Sequence, residues 1–485
     1  MKKKISIALA SISLCLSMAG CTTGDGGSGS NNNTTNTPEL PTYSTTETFR
    51  IGNWGVPPHA NSGYMEYANN PDYCTEEHWT NLKNCGYNLA IPTAGVNSYT
   101  VEAIKRDLEM AEKVGMDVLV RDNTSYGFES IINYAKDKGY NYDQTKEVLE
   151  ERSESLKANI DQYIEYESFI GINAYDEPSM DYYEPIAACQ DWFLKNYPEY
   201  EFYTNLLPVY ATPGQLYGKK NGAGLSYYDY VNEYVKEVNP AMLSYDHYPI
   251  LQDWDQSAYV KEDFLYNLNV FALQAKKKNT PVYIYLQTMG FFNNLPITTY
   301  EEFAWQCYTS LAFGVRGIMT FQYWTQLQAE YHNNVRGGIV DRDGTITPLY
   351  YEVQKVFNEI IAMQDVYLHY RWDGVKTYEG GRVVNDMFGL VTDQLEELND
   401  ITNVENDQDI IIGQFTDEDG QYAYMVTNAV SPFKNEQANV KLTFKRTYKY
   451  VMLVKKGTRE LVKLENNVLD ITVGNGEGYF VVPVK

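Results

Sequence analysis

Two adjacent carboxylates, Asp176 and Glu177, stand at the end of a short apolar run that begins at Phe169, and Pro178 follows them. The run reads as a buried strand, and the proline stops it. Acids at the end of a core strand are costly to desolvate, so something has to justify them. Two neighbouring carboxyl groups can divide labour. One holds a proton and donates it, while the other stays ionised and attacks or activates water. The plain alternative is a pair of solvated loop acids that cap the next helix. Seven further segments repeat the same plan, an apolar strand followed by a polar end, which argues for a shared rim of functional groups.

Collecting those ends gives the candidate binding residues: Trp54, His59, Asp122, Asn205, His247, Tyr248, Gln287, Gln322, Tyr323 and Trp324, with Asp246 as a further acid and Arg121 beside Asp122. Acids, amides and aromatics dominate. There is no nucleophile elbow with a Ser-His-Asp order and no phosphate loop. Glycosidic bond cleavage needs this mixture, because amides and acids bind hydroxyls and aromatic faces stack on sugar rings. Arg121 is expected to pair with Asp122 or another nearby acid rather than with a ligand.

Hydrophobic patterning predicts the elements that carry these residues. Strands are expected at 49–54, 88–92, 117–120, from Phe169 to the acid pair, and at 201–207, 242–245, 281–286 and 317–321. Helices are expected at 76–84, 100–114, in a long stretch ending near 167, and at 182–196, 258–278, 299–314 and 350–364. The second of these shows the helical period at Val101, Ile104, Leu108, Ala111 and Val114. Eight strands alternating with helices predict an α/β fold, a (β/α)8 TIM barrel, with functional groups at the C-terminal strand ends. An open doubly wound sheet is the alternative, but no glycine-rich turn follows the first strand. After Asp365 the texture changes to short alternating strands, at 410–415, 422–428, 440–444, 448–454, 469–473 and 479–484. They are separated by turns such as Asp419-Gly420 and Asn475-Gly476, and this predicts a C-terminal β-sandwich. The expected organisation is therefore 1–21 leader, 22–47 linker, 48–365 barrel and 366–485 sandwich.

Composition bounds the partners. The formal net charge of −25 repels phosphate backbones, so nucleic acid is excluded as a natural partner. The chain carries 44 tyrosines, which suit sugar faces as well as cores. Lys2, Lys3 and Lys4 precede an apolar stretch too short to span a bilayer, which ends in Met18-Ala19-Gly20-Cys21. That segment resembles a bacterial lipobox, with Met where Leu is usual. The resemblance implies lipidation of Cys21 and a membrane-anchored protein facing the periplasm or the cell surface. Residues 22–37, rich in Gly, Ser, Asn and Thr, read as a tether. Of the six cysteines, Cys15 belongs to the leader. Cys74 and Cys85 are candidates for a disulfide in an oxidising compartment, and Cys189 and Cys307 read as small buried hydrophobes. The five histidines are scattered, no Cys/His spacing suggests a metal, and no cofactor is expected.

Ala174-Tyr175-Asp176-Glu177-Pro178 is similar to the strand-four motif of clan A glycoside hydrolases, in which Asn-Glu-Pro supplies the acid/base glutamate. Ser310-Leu311-Ala312-Phe313-Gly314, leading into Gly317-Ile318-Met319-Thr320-Phe321-Gln322-Tyr323-Trp324, resembles the last helix and strand of barrel hydrolases related to the family 42 β-galactosidases. The resemblance covers the layout of about residues 49 to 365 and implies Glu177 as the acid/base. The chain departs from the motif twice. Asp176 replaces the Asn, and Gln287 stands where strand seven should end in the nucleophilic Glu. An amide is no nucleophile, so the retaining mechanism does not transfer whole. Asp246, Asp122 and Asp176 are the alternatives for a second carboxylate, with Asp246 favoured. The sequence thus predicts a glycoside hydrolase acting on poly- or oligosaccharides. The competing reading is a carbohydrate-binding surface lipoprotein on a hydrolase scaffold without chemistry.

Overall fold

The computed structural model describes residues 38–60, 70–92, 100–122, 124–325, 335 and 337–484. The leader, Cys15, Cys21, most of the tether and Asn123 lie outside the described residues. The chain divides into two units, 1–39 and 40–485, and the second carries everything that follows. No helix among the described residues is long and apolar enough to cross a membrane.

Eight parallel strands form one sheet: β1 (Arg50–Trp54), β2 (Leu89–Ile91), β3 (Asp117–Val120), β4 (Phe169–Asp176), β5 (Glu201–Asn205), β6 (Leu243–Asp246), β9 (Val282–Gln287) and β10 (Gly317–Phe321). Two short strands, β7 (Ile250–Gln252) and β8 (Ala258–Val260), form a hairpin between β6 and β9. The large sheet runs β5-β4-β3-β2-β1-β10-β9-β6. It closes between β6 and β5, where Leu206 N–H donates to the Ser244 carbonyl at 2.8 Å and Leu206 pairs with Tyr245. This is the predicted (β/α)8 barrel. Its interior is filled by Leu89, Ile91, Leu119, Tyr203, Tyr285 and Met319, the inward residues of a period-two pattern. At the N-terminal end Arg50 reaches Asp117 at 2.5 Å and Glu201 at 3.1 Å, one cation shared between two acids.

The helices begin where the sequence supplies caps. The Thr75, Thr100, Ser226 and Thr299 hydroxyls each accept a backbone N–H of the first turn. Two expected helices are corrected. The long stretch expected to end near 167 is three helices, Phe128–Lys138, Tyr142–Glu151 and Ser153–Ile160. The segment predicted helical from 258 starts as β8, and the helix runs over Phe264–Lys278. The alternating Ala258-Tyr259-Val260 pairs with Ile250–Gln252, and that local pairing wins over helical period. The closing helix is also longer than its apolar period suggests, Pro348–His369.

The C-terminal region contains β11 (Arg371–Glu379), β12 (Arg382–Val384), β13 (Ile401–Asn406), β14 (Ile410–Thr416), β15 (Tyr422–Asn428), β16 (Ala438–Phe444), β17 (Tyr450–Lys455), β18 (Thr458–Lys463), β19 (Val468–Val473) and β20 (Gly478–Val484). They make a seven-stranded antiparallel sheet and a three-stranded one, the predicted sandwich. The large sheet is buried on both faces. Ile410, Ile412, Tyr424, Val426 and Val481 face the small sheet, while Ile411, Phe415, Met425, Met452 and Phe480 face the barrel side. That double burial explains continuous apolar runs such as Ile410-Ile411-Ile412. Gly413 lets the sheet lie on the helix Tyr300–Ala312, since a Cβ there would come within 2.1 Å of the Ala312 carbonyl oxygen.

Candidate active site

The barrel brings the ends of β4, β5 and β6 side by side. Asp176 pairs in register with Asn205, after a bulge between Asn173 and Tyr175 shifts the β4–β5 register by one residue. Bulges of this kind re-aim side chains at functional sites. Asn205 then bridges two acids. Its Nδ2 donates to Asp246 Oδ1 at 3.0 Å and lies 3.4 Å from Asp176 Oδ1, while its Oδ1 accepts from the Ser244 hydroxyl at 2.9 Å.

Glu177 leaves the strand with φ of 53°. A left-handed backbone costs a non-glycine residue roughly 1–3 kcal/mol and clusters at functional sites. The Glu177 N–H is held by the Asn205 carbonyl at 2.8 Å, and its side chain lies near enough to Asp246 for each to shift the other's proton affinity. Glu177 keeps solvent-accessible surface although protein surrounds it on most sides, as suits a side chain in a barrel mouth. Burial pushes its carboxyl up to about 7, and the charge of Asp176 adds to the rise against the pull of Asp246 and Arg121.

The other two acids are set apart by their surroundings. Asp246 is only 3% exposed. Burial, then Glu177 and Asp176, drive its carboxyl well above the usual range, and Asn205 opposes them. Burial also raises Asp176, but the Arg121 guanidinium, 3.7 Å away, and Asn205 work against it. Arg121 gives Asp176 a counter-charge that Asp246 lacks. The three carboxyls thus sit in different surroundings: Asp246 raised by burial without a counter-charge, Glu177 raised to about 7, and Asp176 raised by burial but opposed by Arg121.

Aromatic side chains border this cluster. Arg121 lies over the Trp54 ring, 5.0 Å from its centroid, and Trp54 meets Tyr285 edge to face at 5.8 Å. Tyr248 and Tyr210 feel the charges of both Glu177 and Asp246. They also line a hollow of about 530 Å³ with Leu251, Lys261, Phe291 and Phe292, within the usual size range of ligand sites, about 300–1,000 Å³. The Tyr210 ring is 39% exposed and that of Phe292 72%.

Of the candidate residues, the structure gathers Asp176, Glu177, Asp246, Asn205, Trp54 and Tyr248. The others make contacts within the scaffold. Asp122 is consumed by Asn159 at 2.5 Å, Tyr163 at 2.9 Å and the Thr124 N–H at 2.9 Å. Gln287 is fully buried. Its side chain accepts from the Ile250 N–H at 3.1 Å and donates to the Ile250 carbonyl at 3.0 Å and the Leu295 carbonyl at 2.5 Å, fastening the hairpin to β9. His247 is also fully buried, 2.9 Å from Asn267 and 3.2 Å from Asp263. Tyr323 packs edge-on to Tyr87, and Trp324 packs on Tyr73 and His78. Gln322, 5% exposed, donates to the Trp324 carbonyl at 2.5 Å. His59 pairs with Asp107 at 3.0 Å.

Arg121 binds Glu129 at 3.2 Å and Asp176, and it belongs to the site more directly than expected. Tyr210 and Tyr285 were not foreseen. Tyr210 sits five residues past Asn205, in the loop that follows a functional strand end, and that position is the signal that marks it. The disulfide expected between Cys74 and Cys85 does not form. Both thiols are free and buried, Cys85 facing the Tyr350 carbonyl and Cys74 facing Asp107.

No family model matches the sequence, and no curated protein matches it either. Solved structures similar to this chain include a glucosidase from Croceicoccus marinus, 10% identical, covering 92% of this chain and 97% of its own, with a TM-score of 0.42. A family 39 glycoside hydrolase from Bacteroides cellulosilyticus is 12% identical, covering 90% of this chain and 81% of its own, with a TM-score of 0.42. An α-amylase from Anoxybacillus is 10% identical, covering 90% and 97%, with a TM-score of 0.47.

Proposed function

We propose that this protein is a glycoside hydrolase acting on poly- or oligosaccharides, with Glu177 as proton donor, Asp176 as the ionised carboxylate and Asp246 as the buried acid that tunes Glu177. The observation that carries the reading is Glu177 itself. It is a solvent-reachable carboxyl at the C-terminal mouth of a (β/α)8 barrel, raised to about 7, with Asp176 and Asp246 both near enough to shift it. A carboxylic acid that keeps its proton near neutrality can protonate a glycosidic oxygen. Trp54, Tyr210 and Tyr248 offer ring faces for the sugar, and Asn205 holds the two neighbouring acids in place.

The leader supports a lipid-anchored chain, attached through Cys21 and reaching outward on its tether. Acylation of Cys21 is checked by labelling cells with a fatty-acid analogue and repeating with Cys21→Ala. For the activity, wild type and Glu177→Gln are assayed on a panel of polysaccharides and aryl glycosides. Release of reducing ends by the wild type and a loss of at least 100-fold in the variant support the assignment, while undiminished turnover in the variant removes Glu177 from it.

One observation favours a second reading, a carbohydrate-binding protein without turnover. Gln287, which stands where the nucleophilic carboxylate was expected, is an amide committed to the scaffold. Calorimetric binding of a glycan with no product on chromatography would establish that alternative.

A further inference from the structure

Away from the barrel mouth, three donors of different chemistry converge beneath the loop that follows β1. His59 Nε2 lies 3.0 Å from Asp107 Oδ1, and Cys74 Sγ lies 3.5 Å from the same oxygen. All three donor atoms fall within 4.8 Å of one another. Ligands bound at about 2.0–2.3 Å in tetrahedral geometry sit about 3.2–3.6 Å apart, so the cluster is close to the size of a zinc cage. Its members come from three elements: the loop after β1, the residue before the cap of helix Glu76–Asn84, and helix Val101–Val114. Cys74 and Asp107 have no exposure.

A second observation points at the sulfur. The Trp79 side chain is fully buried, and its Nε1–H makes no well-formed hydrogen bond. Trp79 lies within reach of Cys74, and an N–H near a ligating sulfur is what an outer shell supplies to a metal-bound thiolate.

We propose that His59, Cys74 and Asp107 form a zinc site, with water in the fourth position. Thiolate plus imidazole selects zinc over calcium or magnesium, which take oxygen ligands. On binding, the Cys74 S–H proton leaves to solvent as the S–Zn bond forms, and no electrons are transferred. The site is structural in placement. It ties the loop after β1 to two helices, and Tyr73 and His78, beside it in sequence, pack on Trp324 at 4.8 and 5.3 Å. A metal here fastens the first and last segments of the barrel rim together.

The test uses the full chain, incubated with equimolar zinc and then dialysed. Mass spectrometry is expected to find about one zinc per chain in the wild type and little in Cys74→Ser or Asp107→Asn. Cobalt substitution is expected to give a sulfur-to-metal charge-transfer band that Cys74→Ser lacks while keeping the wild-type far-ultraviolet circular dichroism. A wild type that retains no zinc, or a Cys74→Ser variant that binds zinc or shows the cobalt band as the wild type does, overturns the proposal.

Discussion

Glu177 follows β4 and Asp246 ends β6, with β5 between them, yet the two side chains lie near enough for each to shift the other's proton affinity. Two carboxylates so placed repel when both are ionised, which raises the proton affinity of each. Asp246 is the more buried partner, and Glu177 reaches solvent. This proximity ties the protonation of the site to pH.

If Glu177 donates the proton, kcat/KM falls as pH rises through about 7. Asp246 acts to lower the Glu177 value. Asp246→Ala removes that influence, so the alkaline limb should move to higher pH. A limb that stays in place would show that Asp246 does not tune Glu177. Glu177→Gln should abolish the limb together with at least 100-fold of activity.

The same shifts predict a stability effect. The folded-state pKa of Glu177 is raised above its unfolded value, so its proton stabilises the fold below about pH 4.5, and that contribution is lost as pH rises through about 7. Glu177→Gln removes the charge that the fold tolerates poorly. Melting curves should show the variant above wild type by about one to three degrees at pH 8, with the gap closing at pH 4. Equal melting temperatures at both pH values would mean that the site does not strain against the ionised form.

Much of this architecture was legible, for identifiable reasons. Barrel strands buried on both faces read as apolar runs with polar ends, and Asp117–Val120 and Gly317–Phe321 match their predicted bounds. The four unforeseen strands of the C-terminal region, β11, β12, β13 and β18, carry polar, partly exposed sequences such as Thr402-Asn403 in β13. Only pairing with a neighbour makes them strands. The site was legible to the level of which strands end in acids. It was not legible which rim residues turn toward the mouth. Gln287 and Asp246 both end strands, but a loop segment needing partners for its N–H and C=O groups claims Gln287. Distances of that kind lie outside any local pattern.

Arg121 sets the charge of Asp176. Replacing it by Gln removes the guanidinium 3.7 Å away and leaves burial and Glu129 to raise the carboxyl further. An ionised Asp176 is needed on the acidic side of the profile, so the acidic limb of kcat/KM should move to higher pH in Arg121→Gln. Glycan affinity measured at pH 8 should change little. An acidic limb at its wild-type position would assign that limb to another group.

Asn205 is the residue on which the three acids depend most. Its amide serves Asp246 and Asp176, its carbonyl serves Ser244, and its backbone carbonyl holds Glu177. Asn205→Ala keeps the last contact and deletes the others, leaving buried polar groups without partners at about 1–3 kcal/mol each. Asn205→Asp restores an acceptor for Ser244 but places a fourth acid among three. Both variants should lose activity, by about 10-fold or more. Only Asn205→Asp should raise the Glu177 pKa, which a shift of its alkaline limb to higher pH would report. If both variants moved the limb alike, Asn205 would act through packing and not through charge.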